Sequence, residues 1–131
     1  MDLEMTARYG GGSASPVAAE QFSGEHGTFL VARLENLDVG CGGLRLLREG
    51  VGEVKRMYVE PAARGRGVAR ALLRGLLDHA RAAGLGRVQL ETGELQPEAV
   101  ALYESEGFEP IEPYGHYRDD PRSLCFALDL T

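Results

Sequence analysis

The chain is expected to fold as a mixed α/β (α+β) domain, a mostly antiparallel sheet carrying one central β–α–β unit. Two observations predict this. Glu53 to Ala83 reads as a strand, a tight Gly/Arg turn and an amphipathic helix, and Arg87 to Thr92 (RVQLET) then supplies a second strand. A unit of that kind should be parallel and right-handed. Ahead of it, residues 28–59 hold three strand-like runs separated only by short turns, the economical pattern of neighbouring antiparallel strands. At 131 residues the chain suffices for one domain, residues 1–131, with a real core, and not for two.

Taken in order, Asp2 to Tyr9 suggests a short helix with Leu3 and Met5 as its few apolar residues. Gly10 to Pro16 (GGGSASP) breaks regular structure. Val17 to Phe22 then fits a helical turn, with Ser15 as its cap and Pro16 at its first position. Residues 1–25 are expected to be a reduced or mobile N-terminal region. Thr28 to Leu34 (TFLVARL) reads as a strand and Asn36-Leu37-Asp38 as the hairpin turn. Val39 to Leu47 gives the next strand, with Gly40, Gly42 and Gly43 as bulge positions. Residues 48–52 turn the chain into a strand over Glu53–Val59, where Val54, Met57 and Val59 are apolar and Glu60-Pro61 ends the run. In the helix that follows, Ala69, Leu72, Leu73, Leu76 and Ala80 recur on one side, while Arg70, Arg74, Asp78 and Arg81 fall on the other. Gly84-Leu85-Gly86 stops it. Gln96-Pro97-Glu98 opens a second helix with Ala99, Leu102 and Tyr103 on its core side and Gly107 at its end. Phe108–Ile111 and Leu124–Leu130 read as closing strands joined by a loop over Tyr114–Arg122.

Composition narrows the function. No apolar run approaches the roughly 20 residues a membrane span needs. Residues 1–20 lack the basic start and apolar stretch of a secretion signal, so the expected compartment is the cytoplasm. A net charge of −6 argues against nucleic-acid binding, which depends on phosphate neutralisation. The basic residues nevertheless concentrate between Arg45 and Arg87, which suits one anionic ligand on an acidic body; Lys55 is the single lysine. Cys41 and Cys125 read as reduced thiols in strands. His26, His79 and His116 show no metal-ligand spacing, and no metal is expected.

The Arg64-Gly65-Arg66-Gly67-Val68-Ala69 turn carries the chemistry. A helix start presents unpartnered N–H groups and partial positive charge. Glycines just before it let those donors close on a ligand, and arginines add charge, which is the geometry of a diphosphate cradle. The same residues also fit a plain strand-to-helix turn with solvated arginines. A dinucleotide-binding start fits poorly, because Arg70 stands where the third glycine belongs and no mostly parallel sheet follows.

These residues resemble the GCN5-related N-acetyltransferase (GNAT) superfamily. Its cofactor motif is Gln or Arg, two residues, Gly, one residue, then Gly or Ala, and Arg64, Gly67 and Ala69 fit it. Ala99-Val100-Ala101-Leu102-Tyr103, followed by Glu106-Gly107-Phe108, is similar to the family's A-x-x-L-Y-x-x-x-G-F segment. The wording around them resembles a bacterial subgroup of small members. The resemblance covers residues 28–130. The family's usual first strand and first helix, which commonly help to wall the acceptor pocket, are expected to be missing or reduced to residues 1–25.

The resemblance implies the GNAT acyl-CoA N-acyltransferase fold and an N-acetyltransferase that moves an acetyl group from acetyl-CoA to a primary amine. Attack would be direct, through a tetrahedral intermediate, with a small-molecule or peptide amine as acceptor and no metal. It places the diphosphate on the backbone of Arg64, Gly65, Arg66, Gly67, Val68 and Ala69. The pantetheine arm would lie along Met57, Tyr58 and Val59, where that strand and Arg87–Thr92 splay apart, and an N–H from the segment would stabilise the oxyanion. Gln96 stands where many members carry an asparagine near the cofactor. Tyr103 matches the tyrosine that protonates the departing thiolate, although a tyrosine there also fits plain core packing. Glu53 stands eleven residues before Arg64, where some members carry a catalytic glutamate; it fits a charged strand-edge residue equally well, with water as the base. Arg56, Tyr117 and Arg118 fit either an acceptor pocket or surface packing. His116 reads as an exposed loop histidine and Cys125 as a core residue. An incomplete N-terminal layer would suit pairing of two copies. The competing reading is a non-catalytic acyl-CoA-binding or sensor module without an acceptor site.

Overall fold

In chain order the elements are β1 (Leu3–Ala7), β2 (Thr28–Leu34), β3 (Leu37–Arg48), β4 (Val51–Val59), a 3-10 turn (Pro61–Ala63), α1 (Val68–Ala82), β5 (Arg87–Gly93), α2 (Pro97–Ser105), β6 (Glu109–Ile111), a second 3-10 turn (Gly115–Tyr117) and β7 (Ser123–Asp129). The computed structural model describes residues 3–7, 22, 24, 26–93 and 97–130. The strands form one sheet in the order β1-β2-β3-β4-β5-β7-β6. All neighbours are antiparallel except β4 and β5, which run parallel as expected of a β–α–β unit.

The N-terminal segment departs from expectation. Leu3–Ala7 is a strand and not a helix, pairing with β2 so that Leu3 faces Leu34 and Ala7 faces Leu30. Leu3 and Met5 both pack on the cluster of Ala32, Val68 and Leu72, and a spacing of two is the period of a strand. The fold's first strand is therefore present. The helical turn over Val17–Phe22 lies outside the described residues, apart from Phe22. The hairpin turn also moves, to Glu35 and Asn36, whose φ values of 52° and 68° suit the tight turn that matches strand twist. Leu37 then already faces Leu34 as the first residue of β3.

Both helices cover one face of the sheet. Leu73 and Leu76 of α1 and Tyr103 of α2 join one buried cluster with Leu44, Val54, Leu90 and Phe126 from the strands. Side chains alternate along a strand, so Glu53 and Gln89 face the other way; each is only 2% exposed.

A bulge in β4 opens the sheet. Cys41 faces Tyr58 and Gly43 faces Lys55, which leaves Arg56 and Met57 opposite Gly42 alone. Arg56 takes up the extra residue at φ 61°, and its carbonyl accepts from Cys41 Sγ at 3.4 Å. Gly42 makes room for Met57: a Cβ there would come within 2.5 Å of Met57 Sδ. A bulge bends and twists its strand, and here β4 parts from β5. Their ladder ends at Val54–Leu90, although β5 continues beside β7 to Gly93.

Candidate active site

Among the described residues, the parted strands leave one edge of β4 without a ladder partner beyond Val54. This edge faces a groove of about 820 Å³. Met57, Tyr58 and Val59 line one wall, Arg64, Gly65, Gly67, Val68 and Ala69 one end, and Pro97, Ala99, Leu102 and Tyr103 of α2 the opposite side. Eight of the ten expected cofactor-binding residues thus share one cavity. Arg66 is exposed outside its lining, and Gln96 lies outside the described residues.

The end of the groove is shaped by backbone. Gly65 and Gly67 adopt φ values of 81° and 80°, which glycine reaches without strain. Gly67 caps α1, and its carbonyl accepts from Ala71 N at 3.0 Å. Among the described residues, a Cβ on either glycine would meet nothing within 4 Å, so these residues leave the space above both open. Arg64 donates to the Val59 carbonyl at 3.1 Å, and its guanidinium lies 6.0 Å from the centre of the Tyr58 ring.

Tyr103 projects from α2 into the core between Phe108 and Phe126. Burial, and then the Glu91 charge, push its pKa above the ordinary phenol value of 10, so the phenol is neutral at physiological pH. Among the described residues its hydroxyl has no hydrogen-bond partner. A feature absent from the sequence reading fixes α2 against α1. Arg74 makes a forked pair with Glu106 at 2.8 and 3.1 Å, while Arg70 donates to the same carboxylate and to Ser105 Oγ. The Arg74 hydrogen bond, followed by that of Arg70, holds the Glu106 carboxyl below its ordinary 4.5. This tie therefore stabilises the fold fully above that value and is lost as pH falls through the lower folded-state pKa. Glu106→Gln is expected to remove about 1 kcal/mol and lower the melting temperature by a few degrees at pH 7. The deficit should shrink in melts below pH 4.

Glu53 lies across the sheet from Tyr103. Its two oxygens are engaged by Arg45 Nε at 2.7 Å and by the Tyr114 hydroxyl at 2.5 Å, with Lys55 Nζ 3.9 Å from the first. Burial, then the Glu53 contact, raise the Tyr114 pKa far beyond the phenol range. Tyr117 accepts from Lys55 at 3.2 Å, whereas Arg56 and Arg118 are exposed; the His116 side chain lies outside the described residues. Cys125 is buried in β7 and Cys41 half-buried in β3, both as free thiols. Burial pushes both thiol pKa values up. Among the described residues no group of three or more His, Cys, Asp and Glu is placed to hold a metal, and no helix is long and apolar enough to cross a membrane.

Comparison with known proteins points one way. The acetyltransferase (GNAT) family profile matches residues 2–108. A relative from Azospirillum brasilense named IAA acetyltransferase is 50% identical over 103 residues, 78% of this chain and 67% of its own. Among solved structures, a Klebsiella pneumoniae protein provisionally named an acyl-CoA N-acyltransferase superposes with a TM-score of 0.85, at 29% identity and 98% of each chain. A GNAT family acetyltransferase from Elizabethkingia anophelis, solved with acetyl-CoA bound, shares the fold (TM-score 0.78, 98% of each chain) at 16% identity.

Proposed function

The chain belongs to the acetyltransferase (GNAT) family and is an N-acetyltransferase, and from that premise we propose that it passes the acetyl group of acetyl-CoA directly to a primary amine. The observation that carries this reading is the unpaired edge of β4 running into the glycine turn at the start of α1. Acetyl-CoA supplies the activated thioester. Main-chain groups of Met57, Tyr58 and Val59 accept its pantetheine arm as an added strand. The N–H groups of Arg64 to Ala69 hold its diphosphate, and Gln96 lies near it by family likeness. An N–H in the bulged part of β4 stabilises the oxyanion, Tyr103 protonates the departing thiolate, and Glu53 takes the amine proton through water or fixes the groups that surround it. Catalysis is then largely positioning plus that electrostatic contribution. Residues 1–131 act as one domain.

The test is a thermal melt with acetyl-CoA followed by thiol release over a panel of amines. At a hundred times its Kd the ligand should add about 2.7 kcal/mol, a rise of several degrees. No rise sinks the proposal. A rise without turnover on any amine favours the sensor reading.

A further inference from the structure

Resting on the acetyltransfer reading above, we propose that the acceptor is a zwitterion, an amine that also carries a carboxylate, and that Lys55 and Arg45 hold its carboxylate while Glu91 faces its ammonium. Val54 and Leu90 are the last paired residues of β4 and β5, so Lys55 and Glu91 are the next residues where the strands part. Val54 and Leu90 point into the core under the helices. By alternation, Lys55 and Glu91 flank the gap on the opposite face, one cation and one anion across the same opening.

The cationic side carries surplus charge. Arg45 and Lys55 share one carboxylate, Glu53, both of whose oxygens are already engaged by Arg45 and Tyr114. Arg45 uses only its Nε for Glu53, and among the described residues its two terminal nitrogens have no partner. Those nitrogens form the planar fork that matches a carboxylate. Both side chains remain within reach of a ligand, at 32% and 24% exposure. Lys55 is also the single lysine among fourteen basic residues, and Tyr117 steadies its ammonium from the loop before β7. On the other side, Glu91 accepts from Ser123 Oγ at 2.8 Å through one oxygen. Among the described residues, that leaves the second oxygen for an ammonium. A purely cationic amine meets repulsion from Lys55 and Arg45, whereas a zwitterion meets complementary charge on both sides.

The test uses thiol-release kinetics with free amino acids, each beside its carboxamide, and a simple diamine, with acetyl-CoA affinity measured separately. The acid form should be preferred over the amide by tenfold or more in kcat/KM, the difference lying in KM. Lys55→Gln should cut that preference by tenfold or more. A wild-type protein that binds acetyl-CoA but favours amides or the diamine, or acetylates no amino acid, overturns this inference alone. An unaltered preference in Lys55→Gln, with its melting temperature retained, overturns the role of Lys55. Absence of acetyl-CoA binding overturns the acetyltransfer reading and this inference with it.

Discussion

Gly67→Asp is expected to weaken acetyl-CoA binding by at least about a hundredfold, a loss of about 2.7 kcal/mol, while the protein stays folded. The second half of that expectation follows from geometry. Gly67 sits at φ 80°, a region that costs a side chain energy, but Asp and Asn tolerate it better than other residues. Among the described residues, a Cβ at this position meets no atom within 4 Å. The new carboxylate therefore enters open space, and that space is where the diphosphate is proposed to lie. A negative charge there opposes the ligand and competes for the N–H groups at the start of α1. Gly67→Asn has nearly the same shape without the charge, so calorimetric titration of the two variants separates strain from repulsion. Asn should fall between wild type and Asp. Near-normal affinity in Gly67→Asp would place the diphosphate elsewhere and remove the foundation of the proposed site.

The glycine turn and the helix it opens were legible in the sequence because their signal is local. Gly65, Gly67 and the apolar spacing of α1 follow one another within a few turns of chain, and the structure reproduces the helix to within a residue. The face around Glu53 was not legible. Pairing Arg45 with Glu53 requires the register of the β3–β4 hairpin, and an irregularity between Leu46 and Arg48 shifts it by one residue. A one-residue shift moves every side chain to the opposite face. The Tyr114 contact spans 61 positions, and the ties from Arg70 and Arg74 to Glu106 span 36 and 32. No periodicity carries such information. The first strand was missed for a different reason: Leu3–Ala7 has little strand propensity of its own and is extended because β2 offers it an edge.

Tyr103→Phe is expected to lower kcat by about a hundredfold, the lower end of what a positioned acid contributes, with little change in acetyl-CoA affinity. The lower end is appropriate because a thiolate is a good leaving group and needs its proton only late. Phe keeps the ring that packs between Phe108 and Phe126, so the substitution removes the hydroxyl and leaves the core filled. The melting temperature should stay within a few degrees of wild type, which separates a chemical role from a packing role. The pH profile supplies a second check. Burial and Glu91 raise the phenol pKa above 10, so Tyr103 stays protonated and competent throughout the neutral range. No loss of wild-type kcat between pH 7 and about 10 should trace to Tyr103; a fall there must come from another group and should persist in the Phe variant. If Tyr103→Phe turns over as fast as wild type, the thiolate takes its proton from water, and the tyrosine at this point of α2 is a packing residue alone.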